Sequence, residues 1–231
     1  MRYIRRANER GAVDMGWLQS QHSFSFGSYH DPKHMGLSVL RVINDDIVEP
    51  GMGFGTHGHR DMEIISYVVS GAVEHKDNQG NTTRIPAGDV QRMSAGTGIL
   101  HSEYNPSTTE DVNFLQIWIQ PKEKGIAPAY EQKTIVQTAQ LTALVTPNGE
   151  HNSLSINQDA SLYRLVLQAG ERFDLNAKSG VGYLHIVKGK LSADAQQFSQ
   201  GDAFSVAENE TLALEANSYL EAIWFELPAV H

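Results

Sequence analysis

The feature that most constrains the fold is a series of short runs rich in β-branched and aromatic residues, with no long segment of helical periodicity. The clearest runs are residues 37–43, 62–69, 72–75 and 112–120. Clusters of glycine, asparagine, aspartate and proline separate these runs, and residues 77–81 have the composition of a tight turn. The nearly continuous apolar run 112–120 is typical of a strand covered on both faces. We therefore predict an all-β protein built as a sandwich or barrel.

Composition excludes several classes of function. The formal net charge is -9 and the basic residues are scattered, so no nucleic-acid contact is expected. The absence of cysteine excludes disulfides, thiolate metal ligands and cysteine nucleophiles. No apolar run approaches the length that spans a bilayer, and the N-terminal residues lack the apolar segment of a secretory signal. We expect a cytoplasmic protein that makes no membrane contact.

Glycine and turn residues recur at similar spacing in the two halves of the chain, which predicts two tandem β-domains. Five residues separate Gly51 from His57, and five separate Gly170 from Asn176. When the two halves are aligned by this repeat, none of the candidate ligands has a metal ligand at the matching position. Asn176 and Lys178 align with His57 and His59, and Leu214 and Ala216 align with His101 and Glu103. The second domain is therefore expected to contain no metal site.

The predicted connection between the domains is residues 121–128, a segment rich in proline, glycine and lysine. We expect an N-terminal domain of residues 1–125 that carries the functional site and a C-terminal domain of residues 126–231 that does not. Residues 126–138 are expected to form at most a short turn of helix.

Two pairs of candidate metal ligands share one spacing, His57-x-His59 and His101-x-Glu103. In a β-strand, residues i and i+2 project from the same face, roughly 6.6–7 Å apart. Two such pairs on neighbouring strands would aim three imidazoles and one carboxylate at one point, a ligand set that suits a divalent transition metal. The alternative is a polar hydrogen-bonded patch, although burying such groups is costly unless every one is satisfied.

Glu63 competes with Glu103 as the acidic ligand, because on a continuous strand it would share the parity of His57 and His59. Spacing alone does not decide which of the two glutamates is the acidic ligand. The histidines without a partner at metal spacing are expected to be packing or solvent residues, namely His22, His75, His151, His185 and His231. Candidates for an apolar pocket wall are Phe24, Phe26, Phe54, Met93, Ile99, Phe114 and Trp118.

These motifs resemble the pirin family of the cupin superfamily. Gly51-x5-His57-x-His59-x3-Glu63 is similar to the first cupin motif, and Gly80-x5-Pro86-x-Gly88 is similar to the start of the second. Gln91 stands where the second motif usually has histidine. Pirins take their last two ligands from a His-x-Glu pair on the following strand, and His101-Ser102-Glu103 stands there. The resemblance therefore implies Glu103 as the fourth ligand and places Glu63 beside the site.

The resemblance also implies a bicupin, two tandem cupin β-barrels with the metal in the N-terminal barrel and a degenerate C-terminal barrel. It implies one divalent transition metal ion, frequently iron(II), with zinc, manganese, cobalt, nickel or copper as alternatives. The similarity extends to bacterial members described as quercetin 2,3-dioxygenases, which implies a small aromatic flavonol and dioxygen as substrates and carbon monoxide as a product. Glu103, as a ligand with a second oxygen free, is the candidate general base.

Two other classes of function remain open on the same scaffold. One is a regulatory or redox-sensing binding protein whose metal state modulates a protein partner, with no physiological oxygenase role. The other is a metal-dependent isomerase or decarboxylase, because a fold does not fix a reaction.

Overall fold

The computed structural model describes residues 3–178 and 180–229, and almost all of its regular structure is β-strand. Two short 3₁₀ turns, Ala7–Glu9 and Glu150–Asn152, are the helical elements among these residues. The all-β prediction is confirmed. In the described chain no helix has the length and apolar character needed to cross a membrane.

The described residues form 22 strands. Strands β1 to β12 are Ile4–Arg5, Gly11–Asp14, Leu18–His22, Leu40–Val48, Gly53–His59, Glu63–Ser70, Ala72–Asp77, Thr82–Pro86, Asp89–Ser94, Ile99–Tyr104, Val112–Ile119 and Ala129–Thr134. Strands β13 to β22 are Leu141–Thr146, Leu154–Ser155, Ser161–Leu167, Arg172–Asn176, Val181–Lys188, Lys190–Ala193, Gln196–Ser199, Ala203–Ala207, Thr211–Ala216 and Leu220–Leu227.

The chain separates into two compact units whose segments are interleaved. The first unit contains residues 11–135 and 154–158, and the second contains the described residues of 1–10, 136–153 and 159–231. The N-terminal residues belong to the second unit because strand β1 pairs with strand β20 of that unit. The division into domains 1–125 and 126–231 stays a prediction. Two segments are separated along the chain from the rest of their unit: the described residues of 1–10 belong to the second unit, and residues 154–158 belong to the first.

In the first unit, two antiparallel sheets enclose the interior. One runs in the order β12-β9-β6-β11-β4-β3-β2, and the other in the order β5-β10-β7-β8. Strand β11 lies between β6 and β4 and is buried along most of its length, as its continuous apolar sequence predicts. An apolar cluster of Leu18, Val48, Val68, Val73, Ile85, Val112 and Phe114 packs between the sheets.

The second unit repeats this strand order. Its strands β1-β20-β17-β22-β15-β13 are successive neighbours in one sheet, and β16-β21-β18-β19 form the other. Large apolar side chains, among them Trp224, Phe198 and Phe204, pack in its interior. The indole of Trp224 fills the space next to Gly182, where any larger side chain would clash with the ring.

Two local predictions are tested directly by the strands. Residues 77–81 do connect two strands, since β7 ends at Asp77 and β8 begins at Thr82. Residues 126–138, where at most a short turn of helix is expected, contain no helical turn, because Ala129–Thr134 is strand β12, paired with β9. Hydrogen bonding to a neighbouring strand, a tertiary effect, overrides the local preference of this segment.

Candidate metal centre

Three of the four predicted ligands come together on two neighbouring strands. In the antiparallel pair β5 and β10, His57 lies opposite His101, and His59 lies opposite Ile99. The candidate ligand atoms of the three histidines all lie within 4.8 Å of one another. The Nε2 atoms of His57 and His101 are 3.0 Å apart. Among residues 3–178 and 180–229 this is the one group of three or more histidine or acidic side chains with such geometry.

A local irregularity of strand β5 aims the ring of His57 into the site. The register between β5 and β10 shifts by one residue between His101 and Glu103, which is a β-bulge. At this bulge the Nδ1 atom of His57 lies 2.8 Å from the carbonyl oxygen of Gly55. A carbonyl only accepts hydrogen bonds, so Nδ1 carries the proton and Nε2 presents its lone pair to the site.

Burial keeps two of these imidazoles neutral. It lowers the pKa of His59 to about 4 and that of His101 to about 3, and in each case the neighbouring histidines lower it further. The Nε2 atom of His59 is buried without a hydrogen-bond partner in the described chain. A neutral imidazole is the form that binds a metal. An unpartnered nitrogen beside two others indicates a ligand position rather than a satisfied polar patch.

Glu103, the fourth predicted ligand, is buried two residues beyond His101 on the same strand. The Nε2 amide of Gln116 donates to its Oε2 atom at 2.8 Å, and the hydroxyl of Ser66 donates to Oε1 at 3.4 Å. Its carboxylate is not part of the 4.8 Å group, although its charge opposes the lowering of the His59 pKa. The carboxylate is therefore oriented by the larger sheet and lies near the histidine cluster.

The donor set fits a divalent transition metal. Two imidazole nitrogens bound at right angles, each about 2.1 Å from an ion, stand about 3.0 Å apart. The measured separation of His57 and His101 Nε2 is 3.0 Å. Nitrogen and oxygen donors without sulfur suit several first-row ions, so the donor set does not specify one metal.

Glu63 does not lie beside this site, and that expectation from the resemblance is wrong. Its carboxylate accepts hydrogen bonds from the Ser94 hydroxyl at 2.8 Å and the Asn157 backbone at 3.4 Å. The parity argument assumed one continuous strand, but β5 ends at His59 and β6 begins at Glu63. Asp61 between them has a positive φ of 48°, so the chain changes direction and parity is lost.

Sequence reasoning missed His75, which it assigned to packing or solvent. His75 is fully buried, and its Nδ1 atom lies 3.5 Å from Nδ1 of His101. Its Nε2 atom lies 2.9 Å from Oδ2 of Asp77. Burial raises the pKa of Asp77, but hydrogen bonds from His75, Asn81 and Gln79 outweigh it and leave the pKa below its usual value. The signal was present, because His75-x-Asp77 has the same i, i+2 spacing as the two recognised pairs.

The other histidines assigned to packing or solvent have different environments. His22 and His185 are buried, and His151 is exposed. None of the three belongs to the metal-type group. His231 lies outside the described residues.

A cavity of about 220 Å³ with mainly apolar walls lies in the same unit. Its walls include Met15, Trp17, Leu18, Phe26 and Phe54. The predicted pocket wall is therefore correct for Phe26 and Phe54, whereas Met93 and Ile99 belong to one core cluster and Phe114 to another.

Aromatic contacts join this cavity to the histidine cluster. Phe26 packs edge-on against Trp118 at 5.2 Å between ring centroids, and Trp118 packs edge-on against His59 at 5.0 Å. The Nε1 atom of Trp118 donates to Oε1 of Gln116, the residue that holds Glu103.

Several polar atoms in the cavity wall are buried without a hydrogen-bond partner in the described chain, among them Nδ1 of His22 and Oδ1 of Asn44. Burial raises the pKa of Asp46 to about 7, against the lowering effect of the Ser20 hydroxyl. Such unpartnered groups in an apolar cavity are typical of positions that hydrogen-bond a ligand.

Comparison with known proteins agrees with the two-domain architecture. The family model described as Pirin matches residues 3–119, and the model described as quercetinase C-terminal cupin domain matches residues 143–227. A protein of Escherichia coli K12 named quercetin 2,3-dioxygenase is 47% identical over 234 residues, covering 100% of both chains. A putative quercetin 2,3-dioxygenase of Pasteurella multocida is 40% identical, covering 97% of this chain and 98% of that protein.

Solved structures give the same result. The crystal structure of YhhW from Escherichia coli matches with a TM-score of 0.95 and 45% identity, covering 99% of this chain and 98% of that chain. The crystal structure of the bacterial pirin YhhW in complex with nickel(II) matches with a TM-score of 0.94 and 45% identity, covering 99% of both chains.

Two cupin domains in one all-β chain, with a cluster of three histidines in the first, define a bicupin with a cupin-type metal site. The full-length similarity narrows this class further. The chain belongs to the pirin family.

Proposed function

We propose that this pirin is a metal-dependent dioxygenase that oxidatively opens the ring of a flavonol such as quercetin, with release of carbon monoxide. The observation that carries the proposal is the cluster of three histidines, joined through Trp118 and Phe26 to an apolar cavity. The names of full-length relatives support it.

The proposed metal ligands are His57, His59, His101 and Glu103. Neutral imidazoles and a carboxylate would hold iron(II) or another divalent ion, and the nickel(II) complex of the similar YhhW supports a choice wider than iron. Such an ion acidifies a bound hydroxyl group.

The chain's own residues would bind the substrate and move its proton. The walls formed by Trp17, Phe26 and Phe54 suit the flat body of an aromatic substrate. The unpartnered Oδ1 atom of Asn44 and the carboxyl group of Asp46 would accept hydrogen bonds from its hydroxyl groups.

Glu103 is the proposed general base. A general base must lie within hydrogen-bond reach of the proton it removes, and Gln116 and Ser66 fix where its carboxylate points. Removal of the hydroxyl proton makes the ring electron-rich, and reaction with dioxygen then opens it.

The test is loss of flavonol absorbance with metal-loaded protein, measured with and without oxygen. We expect oxygen-dependent loss together with carbon monoxide in the gas phase. Glu103→Gln should lower turnover at least a hundredfold while the protein still binds metal. Glu63→Gln is the matched control, since its buried carboxyl faces Ser94. No oxygen-dependent loss with any divalent metal, or full turnover in Glu103→Gln, would contradict the proposal.

A second candidate is a regulatory protein whose metal state modulates a protein partner. Strand β5, which carries His57 and His59, lies at the edge of its sheet. Three large apolar side chains of this region are exposed: Met52 at 41%, Leu100 at 49% and Tyr104 at 39%. Leu100 and Tyr104 lie opposite Gly58 and Gly53 of β5. An apolar surface next to a metal site is a suitable contact for a partner.

The regulatory candidate predicts retention of a specific protein by the metal-loaded form and not by the metal-free form. It also predicts no flavonol consumption by the metal-loaded protein. Leu100→Ser should abolish retention without changing metal content.

A further inference from the structure

Three side chains surround the buried imidazole of His75 on strand β7. The Nε2 atom lies 2.9 Å from Oδ2 of Asp77. The Nδ1 atom lies 3.3 Å from Nε2 of Gln91 and 3.5 Å from Nδ1 of His101. The side chains of His75 and Asp77 are both fully buried. This imidazole therefore lies between a carboxylate and one of the candidate metal ligands.

These contacts determine which ring nitrogen of His75 carries a proton. The carboxylate of Asp77 accepts a hydrogen bond, so the Nε2 atom of His75 is the donor. A neutral imidazole then has an acceptor at Nδ1, and both neighbours of that atom donate to it. One donor is the amide of Gln91, and the other is the Nδ1–H group of His101.

The same reasoning determines which ring nitrogen of His101 carries the proton. With its proton on Nδ1, its Nε2 atom is left with a free lone pair, and this atom faces Nε2 of His57 at 3.0 Å. A metal ligand needs its lone pair at this position. Asp77, His75 and His101 thus form a chain of hydrogen bonds that ends at the histidine cluster.

The outer end of this chain is itself held in place. Backbone N–H groups of Gln79 and Asn81 donate to Oδ1 of Asp77, and the Asn81 side chain donates to Oδ2. The ring of Tyr130 packs on that of His75 with centroids 4.8 Å apart and planes 36° apart. The imidazole is therefore fixed both in its plane and across it.

The second unit argues against a purely structural role for this pair. Strand β7 places His75 opposite Glu103 and Asp77 opposite His101. In the matching strand pair of the second unit, Leu191 lies opposite Ala216 and Ala193 opposite Leu214. The same strand order is thus built with apolar side chains, so the fold does not require a buried imidazole and carboxylate here.

We propose that His75, held by Asp77, is a positioning residue that fixes the tautomer and the ring orientation of the metal ligand His101. By accepting the Nδ1–H hydrogen bond, it raises the basicity of His101 Nε2 and so strengthens metal binding. The inference rests on the metal site proposed above, but not on the oxygenase reaction. It assigns His75 no contact with substrate.

The first test is the dissociation constant for cobalt(II), measured by chelator competition. His75→Phe removes the acceptor and keeps a flat ring, and it should weaken binding tenfold to a hundredfold. His75→Gln keeps an acceptor oxygen and should lie closer to the natural protein. Asp77→Asn removes only the charge, and it should weaken binding about tenfold, which keeps the inference testable if His75→Phe does not fold.

The matched control is Tyr130→Phe. It keeps the ring over His75 and removes only a hydroxyl that bonds to Thr83 and Gln132. We expect a change in cobalt(II) affinity of less than threefold, even if the control alters the thermal stability of the metal-free protein.

The second test is proton NMR of the cobalt(II)-loaded protein, where ligand ring N–H protons give shifted, exchangeable signals. The Nδ1–H signal of His101 should exchange slowly with water in the natural protein, because it is buried and bonded to His75. In His75→Phe the signal should shift or be lost to fast exchange. In Tyr130→Phe it should be unchanged.

Unchanged affinity in both His75→Phe and Asp77→Asn would overturn the inference, as would an equal loss in Tyr130→Phe. An unchanged Nδ1–H signal in His75→Phe would also overturn it. If the natural protein binds no divalent ion, the metal site and this inference fall together. If it binds cobalt(II) but consumes no flavonol with any metal, only the oxygenase proposal falls.

Discussion

The two units share a strand order but fill their interiors in opposite ways. In the first unit, one row of cross-strand neighbours runs through polar residues: His22, Asn44, Gln116, Ser66, Gln91 and Gln132. In the second unit, the row through Trp224 is apolar apart from one hydroxyl: Ala143, Tyr163, Trp224, Leu184, Phe204 and Ile4. The same strand order therefore accommodates either polar or apolar side chains in its interior.

This difference indicates that the interior of the second unit serves stability, whereas the interior of the first unit serves a functional site. Apolar side chains in the second unit pack against one another, which favours folding. In the first unit, Gln116 and Ser66 hold Glu103, and Gln91 contacts His75. Buried polar groups cost free energy unless they are all satisfied, so this interior indicates selection for a site rather than for stability.

The largest expected effect is removal of the side chain that fills the second unit. Trp224→Ala should lower the free energy of unfolding by about 3–5 kcal/mol, because it leaves a cavity among Leu184, Leu191 and Leu214. Urea denaturation of the metal-free protein measures this. Gln116→Ala in the polar row of the first unit removes a donor to the buried Glu103 carboxylate and should cost less, about 1.5–3 kcal/mol. Equal costs would contradict the comparison.

The next effect should be confined to the first unit. His101→Ala removes one of the three clustered imidazoles, and it should weaken divalent metal binding at least a hundredfold, about 2.7 kcal/mol. Metal content after dialysis, measured by elemental analysis, tests this. His34→Ala is the control, since that histidine lies near Asp31 and outside the cluster. If His101→Ala retains its metal, His101 is not a metal ligand.

A smaller effect should depend on pH. The pKa of buried Asp46 is raised from 3.8 to about 7, so between pH 4 and 7 the unfolded chain releases a proton that the folded protein keeps. Stability therefore falls as the pH rises through this range, and Asp46→Asn avoids the loss. The variant should match the natural protein near pH 4 and be more stable than it at pH 8.

Metal-free protein in urea at both pH values tests this difference. In the second unit Leu165, two residues after Tyr163 on β15, takes the place that Asp46 has two residues after Asn44 on β4. Asp111→Asn, at an exposed aspartate, changes the net charge equally and is the control. The same pH dependence in both variants would show a general effect of charge.

The smallest effect is expected at the surface of the second unit. Arg172 pairs with Glu215 across β16 and β21, but its side chain is 80% exposed. Arg172→Ala should change the free energy of unfolding by less than about 0.5 kcal/mol. A thermal unfolding shift comparable to that of Trp224→Ala would mean that surface pairs, rather than the apolar interior, stabilise this unit.

Much of the first unit was predictable because its signals are local. Alternation along a strand placed His57 and His59 on one face, and composition placed strands near residues 62–69 and 112–120. The repeat was recognisable, but its register was wrong for the β5 histidines. The pairing of β16 with β21 puts Phe173 opposite Leu214, as β5 puts His57 opposite His101. Asn176, the residue aligned with His57, lies opposite Thr211 instead.

Backbone irregularities contribute to both failures. The alignment of Asn176 with His57 is off by three residues, of which the β-bulge in β5 explains one, and the parity argument for Glu63 did not account for the break between β5 and β6. Both features are irregularities of a backbone that is held by neighbouring strands.

The sequence by itself determined the all-β class, the two-domain repeat and the i, i+2 pairs, because strand alternation follows from covalent geometry. Only the tertiary structure decided that β10 lies between β5 and β7. That placement brings His101 between His57 and His75, since strand neighbours are selected by packing and hydrogen bonding over long separations. It also decided that the carboxylate of Glu63 faces Ser94, away from the histidine cluster.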